Sequence, residues 1–282
     1  MKKKGNISVM TAEMKYSVLM SVYYKENPEF LRQAIDSMLK QTVKPDQIVL
    51  VEDGPLTDSL ERVICAFENN PLFTVVKLKE NMGLGRALDE GLKYCRNELV
   101  ARMDSDDISL LQRCEKELAL FKEDPDLDIV SGAIAEFETD PSNIKSHRIV
   151  PAEDPEIRKQ MRRRSAFNHP AVMYKKSAVL RCGGYGGSLR KEDHDLFSRM
   201  VNMGCHARNL QEDVLLYRTG ENAIRRRKSW KNISSYLEIM WVTYKRGYCN
   251  LWDVIYVDAA QLFYFIAPAG LINWLLKKFF RK

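Results

Sequence analysis

Over the first hundred residues, four apolar runs alternate with helical stretches, and this alternation constrains the fold more tightly than anything else in the sequence. Tyr16–Tyr23 (YSVLMSVY), Gln47–Glu52 (QIVLVE), Phe73–Leu78 (FTVVKL) and Leu99–Met103 (LVARM) have the length and β-rich composition of strands. Between them, Asn27–Gln41 places Phe30, Leu31, Ala34, Ile35, Met38 and Leu39 on one helical face, with Pro28 suited to the first turn. Leu60–Phe67 and Gly83–Tyr94 predict two further helices. Such alternation with short links implies a mainly parallel sheet covered by helices on both faces. Strands buried on both faces are continuously apolar, as these are. Ligands of such sheets gather beyond the carboxyl ends of the strands. Asp53 follows the second run and Asp104, Asp106 and Asp107 follow the fourth, so all four acids fall at that edge.

Past Asp107 the pattern loosens. Leu111–Phe121, Asp154–Arg164 and Glu192–Met203 predict helices, Ile129–Glu136 and Ala171–Tyr174 strands, and Lys175–Arg181 a helical turn. GGYGGS (Gly183–Ser188) predicts a flexible loop. This half continues the same domain, which gives a basic lead (1–15), one large domain (16–224) and a C-terminal extension (225–282).

The lead, MKKKGNISVMTAEMK, lacks the apolar centre of a signal peptide, and the six cysteines form no CxxC pair. A cytoplasmic protein with reduced thiols is therefore expected. The four histidines do not cluster with the cysteines, which leaves a zinc site nothing to build on. The net charge of +6 is uneven: residues 225–282 hold 11 Lys and Arg against 3 Asp and Glu, which leaves −2 on the rest.

Asp104-Ser105-Asp106-Asp107 is a like-charge cluster that repels itself unless a cation offsets it. Closely spaced hard oxygens suit Mn²⁺ or Mg²⁺ held by carboxylates together with substrate phosphates. Helix capping by Asp107 and Ser109 is the simpler account, but it leaves two acids idle. Lys191-Glu192-Asp193-His194-Asp195 follows the glycine-rich loop and opens a helix, where acids are ordinarily stabilised by the helix N-terminus.

SVLMSVYYKENPEFLRQAIDSMLKQT, IVLVEDGP, ENMGLGRALDEGL, ARMDSDDIS and KEDHDLFSRM, taken in order, resemble the motifs of family 2 glycosyltransferases. The likeness covers roughly Tyr16 to Arg218 and is strongest to bacterial enzymes of capsule, O-antigen and exopolysaccharide assembly. It implies a GT-A-type, Rossmann-like mixed sheet and an inverting, metal-dependent transfer from a UDP-sugar donor to an acceptor hydroxyl. On that resemblance Ser21, Val22 and Tyr23 lie against the nucleoside and Asp53 bonds the uracil ring. Asn81, Gly83 and Arg86 approach the nucleotide, although the family's usual arginine position holds Leu88 here. Asp104 and Ser105 contact the donor, and Asp104, Asp106 and Asp107 hold the metal. Asp193 matches the catalytic base, Glu192 and His169 belong to the acceptor side, and His194 and Asp195 are expected on the helix surface.

The extension carries all four tryptophans and an uncharged run, Ala259–Leu276. A span needs about 20 predominantly apolar residues, and lengthening this run backward would bury Asp258 and Asp253. Aromatic helices lying in the bilayer interface, kinked near Pro268, are expected instead, with LLKKFFRK and Arg225–Lys228 at anionic headgroups. The alternative is a helix packed on the domain. The expected acceptor, by resemblance, is a saccharide on a polyprenyl diphosphate at the inner face of the cytoplasmic membrane. Nucleic acid is not an expected partner, because no nucleic-acid motif accompanies the basic charge. Two other functions stay open from sequence: a sugar-nucleotide nucleotidyltransferase, and a non-catalytic nucleotide-sugar-binding subunit.

Overall fold

The structure, a computed structural model, describes residues 14–186, 191–220, 228–268 and 270. The basic lead up to residue 13, Arg225–Arg227, the end of the glycine-rich loop and the final LLKKFFRK lie outside the described residues. Among the described residues one sheet of nine strands forms. β1 (Tyr16–Val22) sits between β2 (Gln47–Glu52) and β4 (Leu99–Asp104), and β3 (Phe73–Lys77) flanks β2, all four parallel. Every residue of β2 and all but the last of β4 are buried, as continuous apolar runs require.

The sheet then changes direction. β8 (Met173–Lys175) runs antiparallel between β4 and β6 (Leu127–Phe137). β9 (His206–Arg218) pairs parallel with β6, and the two-residue β5 (Ile108–Ser109) closes that edge antiparallel to β9. β7 (Ile144–Arg148) pairs with the far end of β6. β5, β7 and β9 go beyond the strands expected from sequence.

Alternate side chains of β1 build two cores. Val18 and Met20 face α1 (Pro28–Leu39), α2 (Asp58–Glu68) and α4 (Arg113–Glu123), while Leu19 faces the other layer. That layer comprises α3 (Leu84–Tyr94), α5 (Asp154–Met161), α6 (Lys176–Arg181) and α7 (Glu192–Asn202). α3 lies directly on the strands: a Cβ at Gly91 would stand 2.5 Å from Val51 Cγ2 and 2.6 Å from Leu19 Cδ1. Gly183–Gly186, expected as part of a flexible loop, is anchored by Tyr185, whose ring is buried and whose amide donates to Asp89 Oδ1 at 2.7 Å.

The extension folds into a helical hairpin of α8 (Trp230–Lys245) and α9 (Leu251–Ile266), which ends just before Pro268. A capping box of Asn250 and Asp253 starts α9. Asp253 is 1% exposed and accepts from Arg162 (2.6 Å) and Arg163 (2.6 Å), which joins the hairpin to the end of α5. Packing on the domain therefore holds, yet the outward side keeps Trp252 (75% exposed), Tyr256, Phe263 and Ile266 (78%) in the open. Among the described residues no helix is long and apolar enough to cross a membrane.

Burial alone would raise the Asp253 pKa, but Arg163, the Asn250 amide and Arg162 together hold it below the usual carboxylate range. A depressed folded value means that the stabilisation is complete above the unfolded pKa of about 3.9 and is lost as pH falls through the folded value. Because both arginines are roughly half exposed, neither is stranded by loss of the carboxylate, and Asp253→Asn should cost about 1.5–3 kcal/mol of docking. All the tryptophans lie in the extension, so their fluorescence reports this contact. Wild type should show an acid transition below pH about 4, and the variant should already be loosened at neutral pH. Identical acid limbs would refute the assignment.

Candidate active site

β4 runs out at Asp104 and the chain turns through Ser105, Asp106 and Asp107 before β5. One carboxylate oxygen from each of Asp104, Asp106 and Asp107 lies within 4.8 Å of the others. Asp104 pairs with the buried guanidinium of Arg102, and Ser105 Oγ donates to Glu26 Oε2 at 2.9 Å. Asp107 is fully buried; its Oδ1 accepts the Arg218 amide at 2.8 Å, and its Oδ2 has no partner. Burial first, then the charges of Asp104 and Glu26, push Asp106 up to about 7. Burial followed by Asp104 and Asp106 raises Asp107 well above the carboxylate range. Hard oxygens at this spacing, one of them buried and unpaired, fit a divalent cation. The capping account fails, because α4 starts at Arg113 after Gln112 and has no side-chain cap.

Three buried arginines hold this turn, and none was singled out from sequence. Arg102, 1% exposed, keeps its charge because Asp104 offsets a desolvation that works against it. Arg113 donates to the carbonyls of Arg102 (2.7 Å) and Pro170 (3.0 Å) and to Glu117 (3.0 Å), fixing the end of β4. Arg218 Nε donates to the Asp106 carbonyl at 2.8 Å and Nη2 to Gln33 at 2.8 Å. Its guanidinium lies between the rings of Phe30 and Phe137. A charge inside the apolar run LVARM was the signal available for Arg102, since a buried charge needs a partner.

At the same sheet edge Ser21 stands in register with Val51 and Asp104. The Asp53 amide donates to Val22 O, and its carboxylate accepts from Met82 N (2.6 Å), Gly83 N (3.1 Å) and Asn81 Nδ2 (3.1 Å). Asp53, Asn81 and Gly83 thus form one unit, with Asp53 only 3% exposed. Gly54 is required beside it: its φ is +83° and a Cβ would meet Asn81 N at 2.5 Å. Tyr23 and Arg86 are exposed at the rim.

α7 brings Glu192 and Asp193 into its first turn. A Cβ on Gly85 would lie 3.0 Å from Glu192 Cβ, so the start of α3 abuts the start of α7. Burial, then the Asp193 charge, raises Glu192 to about 7, and Arg102 opposes the rise. The charge of Arg102 thus reaches both acid clusters. His169 is buried, with its ring on Phe197 and its Nε2 3.1 Å from Tyr185 Oη. Burial, with Arg102 adding to it, holds its pKa well below the usual value, so it is neutral. His194 and Asp195 are also buried, contrary to the expected helix surface, because α7 packs against α3, α5, α6 and α8 and keeps little solvent face.

The grip of Arg218 on the turn gives a direct test. On the expectation from sequence that this turn holds a divalent cation beside UDP, Arg218→Ala should weaken binding of Mn²⁺ with UDP by about 10–100-fold, the usual cost of losing a residue that orients metal ligands. Titration calorimetry measures it, and Arg218→Lys should recover only part, since a single ammonium cannot make both hydrogen bonds and stack. Unchanged affinity in Arg218→Ala would refute the role.

Residues 17–186 match the family described as Glycosyl transferase family 2. The chain is 39% identical over 269 residues to an uncharacterized glycosyltransferase of Haemophilus influenzae, covering 95% of this chain and 100% of the relative. It is 34% identical over 268 residues to an Escherichia coli UDP-Gal:alpha-D-GlcNAc-diphosphoundecaprenol beta-1,3-galactosyltransferase, covering 95% and 97%. Among solved structures it resembles a mannosyltransferase from Pyrobaculum calidifontis in complex with GDP-Man and Mn²⁺, with a TM-score of 0.60, 16% identity, and coverage of 95% of this chain and 80% of that one. These matches set aside the nucleotidyl-transfer and non-catalytic alternatives. By the family match and by likeness along nearly its whole length, this chain is a family 2 glycosyltransferase with a GT-A-type fold.

Proposed function

We propose that the protein transfers a sugar, with inversion, from a UDP-sugar to a hydroxyl of a saccharide carried on a polyprenyl diphosphate, in surface polysaccharide assembly. The observation that carries this is that one buried cation, Arg102, acts on both the triple-acid turn and Glu192, which opens the helix carrying Asp193. The donor and lipid-linked acceptor in the name of the E. coli relative support the substrate classes.

Ser21, Val22 and Tyr23, with the Asp53–Asn81–Gly83 unit and Arg86, bind the nucleotide along the sheet edge. Asp104 and Ser105 hold the donor beside them. Asp104, Asp106 and Asp107 would hold Mn²⁺ or Mg²⁺, which supplies positive charge to the diphosphate leaving group. Asp193 takes the proton of the attacking acceptor hydroxyl. Glu192 orients that acceptor, and His169 serves the same side indirectly by fixing Tyr185. The apolar outward side of α9 rests on the anionic inner face of the cytoplasmic membrane, where the acceptor is anchored, and the net positive charge of the extension supports this; each Lys or Arg near such a surface contributes about 1 kcal/mol.

A panel of UDP-sugars with a synthetic GlcNAc-diphosphate-polyprenol should yield UDP release with one donor. Asp193→Asn should cut turnover by about 10²–10⁴-fold and leave affinity for UDP with Mn²⁺ unchanged. Full turnover in that variant would remove the base assignment. The protein should also float with vesicles containing anionic lipid and detach as salt rises. Trp252→Ser with Ile266→Ser should lower the bound fraction, and flotation indifferent to both lipid charge and these changes would count against membrane contact.

A further inference from the structure

Lys191, just before Glu192 and Asp193, and Asp195, two residues after Asp193, are both held from the C-terminal hairpin. On one side Lys191 Nζ donates to Asn232 Oδ1 at 3.0 Å and stands 4.0 Å from the centre of the Tyr236 ring, both on α8. On the other, Arg246, the residue that ends α8, donates through Nη1 to Asp195 Oδ1 at 2.6 Å. The second oxygen of Asp195 accepts from Arg199 at 2.9 and 3.1 Å. Arg199 in turn donates to the carbonyls of Cys182 and Gly184, the latter at 2.7 Å. From there Tyr185 reaches Asp89 on α3 through its amide and His169 through its hydroxyl. A series of polar contacts, joined by the backbone at Gly184–Tyr185, therefore runs from the hairpin through Asp195 to the glycine-rich loop, α3 and His169.

Ordinary surface pairing does not explain this arrangement. Asp195 is buried, its two oxygens are divided between two arginines from different elements, and it lies two residues beyond Asp193. We propose that the hairpin is part of the catalytic apparatus: Arg246 and Asp195 on one side, and Lys191 with Asn232 and Tyr236 on the other, are positioning residues that set the turn carrying Glu192 and Asp193. The inference rests on the reading of Asp193 as the base. A small displacement of that turn is enough to matter, because misplacing a reacting group by about 1 Å can cost about 10²-fold in rate.

Arg246→Ala tests it in the full chain, since the Arg246 side chain is 37% exposed and its removal leaves no cavity in the core. With the most active donor of the UDP-sugar panel and the synthetic GlcNAc-diphosphate-polyprenol, kcat should fall by about 10–100-fold. Donor KM and the affinity for UDP with Mn²⁺ should not change. Arg246→Lys should restore most of the loss, and hydrogen–deuterium exchange at residues 192–195 should quicken in the alanine variant alone. A purely structural role would lower the melting temperature and leave kcat and exchange at those residues unchanged well below it, which would overturn the proposal. Full turnover in Asp193→Asn overturns the base assignment whatever Arg246→Ala does. An inactive Asp193→Asn beside an undiminished Arg246→Ala overturns only the positioning role.

Discussion

Two carboxylates about 4 Å apart repel by about 4 kcal/mol at the effective dielectric near a protein surface, and this chain sets three of them in one turn, with Asp107 buried and Asp104 and Asp106 half-buried. Much of the surrounding structure answers that repulsion. Arg102 supplies a cation beneath Asp104, and the Arg218 amide and guanidinium take up Asp107 and the backbone of Asp106. Arg113 fixes the strand that carries Arg102. A buried guanidinium is itself costly unless paired, so acids and arginines stabilise one another and neither set would be tolerated alone. Burial first, then the neighbouring charges of Asp104 and Glu26, raise the pKa of Asp106, so proton uptake there relieves part of the repulsion.

The parallel half of the sheet was legible because strands buried on both faces leave a mark that needs no partner to interpret: QIVLVE is apolar from Ile48 to Val51 and buried throughout. β9 and β7 leave no such mark. HARNLQEDVLLYR begins polar and IKSHR lies at an edge, so their pairing is decided by β6 rather than by their own pattern. The acids at the carboxyl edge were found by position, while the arginines that hold them were missed because Lys and Arg are ordinarily exposed. His194 and Asp195 failed for a related reason. A helix read alone has a solvent face, but four neighbouring elements cover α7. Contacts between distant segments, such as that of Arg218 with Asp106, leave no periodicity in either segment.

The two halves of the site are joined at close range by small residues. Gly85 lets the start of α3 touch the start of α7, and Gly184, with a φ of +66°, admits Asp89 where a Cβ would lie 2.4 Å from its Oδ1. α3 thus meets both the glycine-rich loop and the start of α7 at close range. Interiors packed this closely transmit a displacement rather than absorb it.

The hairpin adds a choice of orientation. A helix as apolar as LWDVIYVDAAQLFYFI would, on burial alone, turn its aromatic side toward the domain, since leaving one large apolar side chain exposed forgoes about 1.5–3 kcal/mol. It does not: Asp253 faces Arg162 and Arg163, Val254 and Val257 lie inward with it, and Trp252, Tyr256, Phe263 and Ile266 stay outside. The ion pairs are hydrogen-bonded and largely desolvated at the carboxylate. An outward face of tryptophan, tyrosine and phenylalanine matches the chemistry of a membrane interface, where aromatic rings are favoured. The pairs that turn the face outward also fix the hairpin against α5, so any surface that the face meets is set at a defined angle to the acids of the sheet edge.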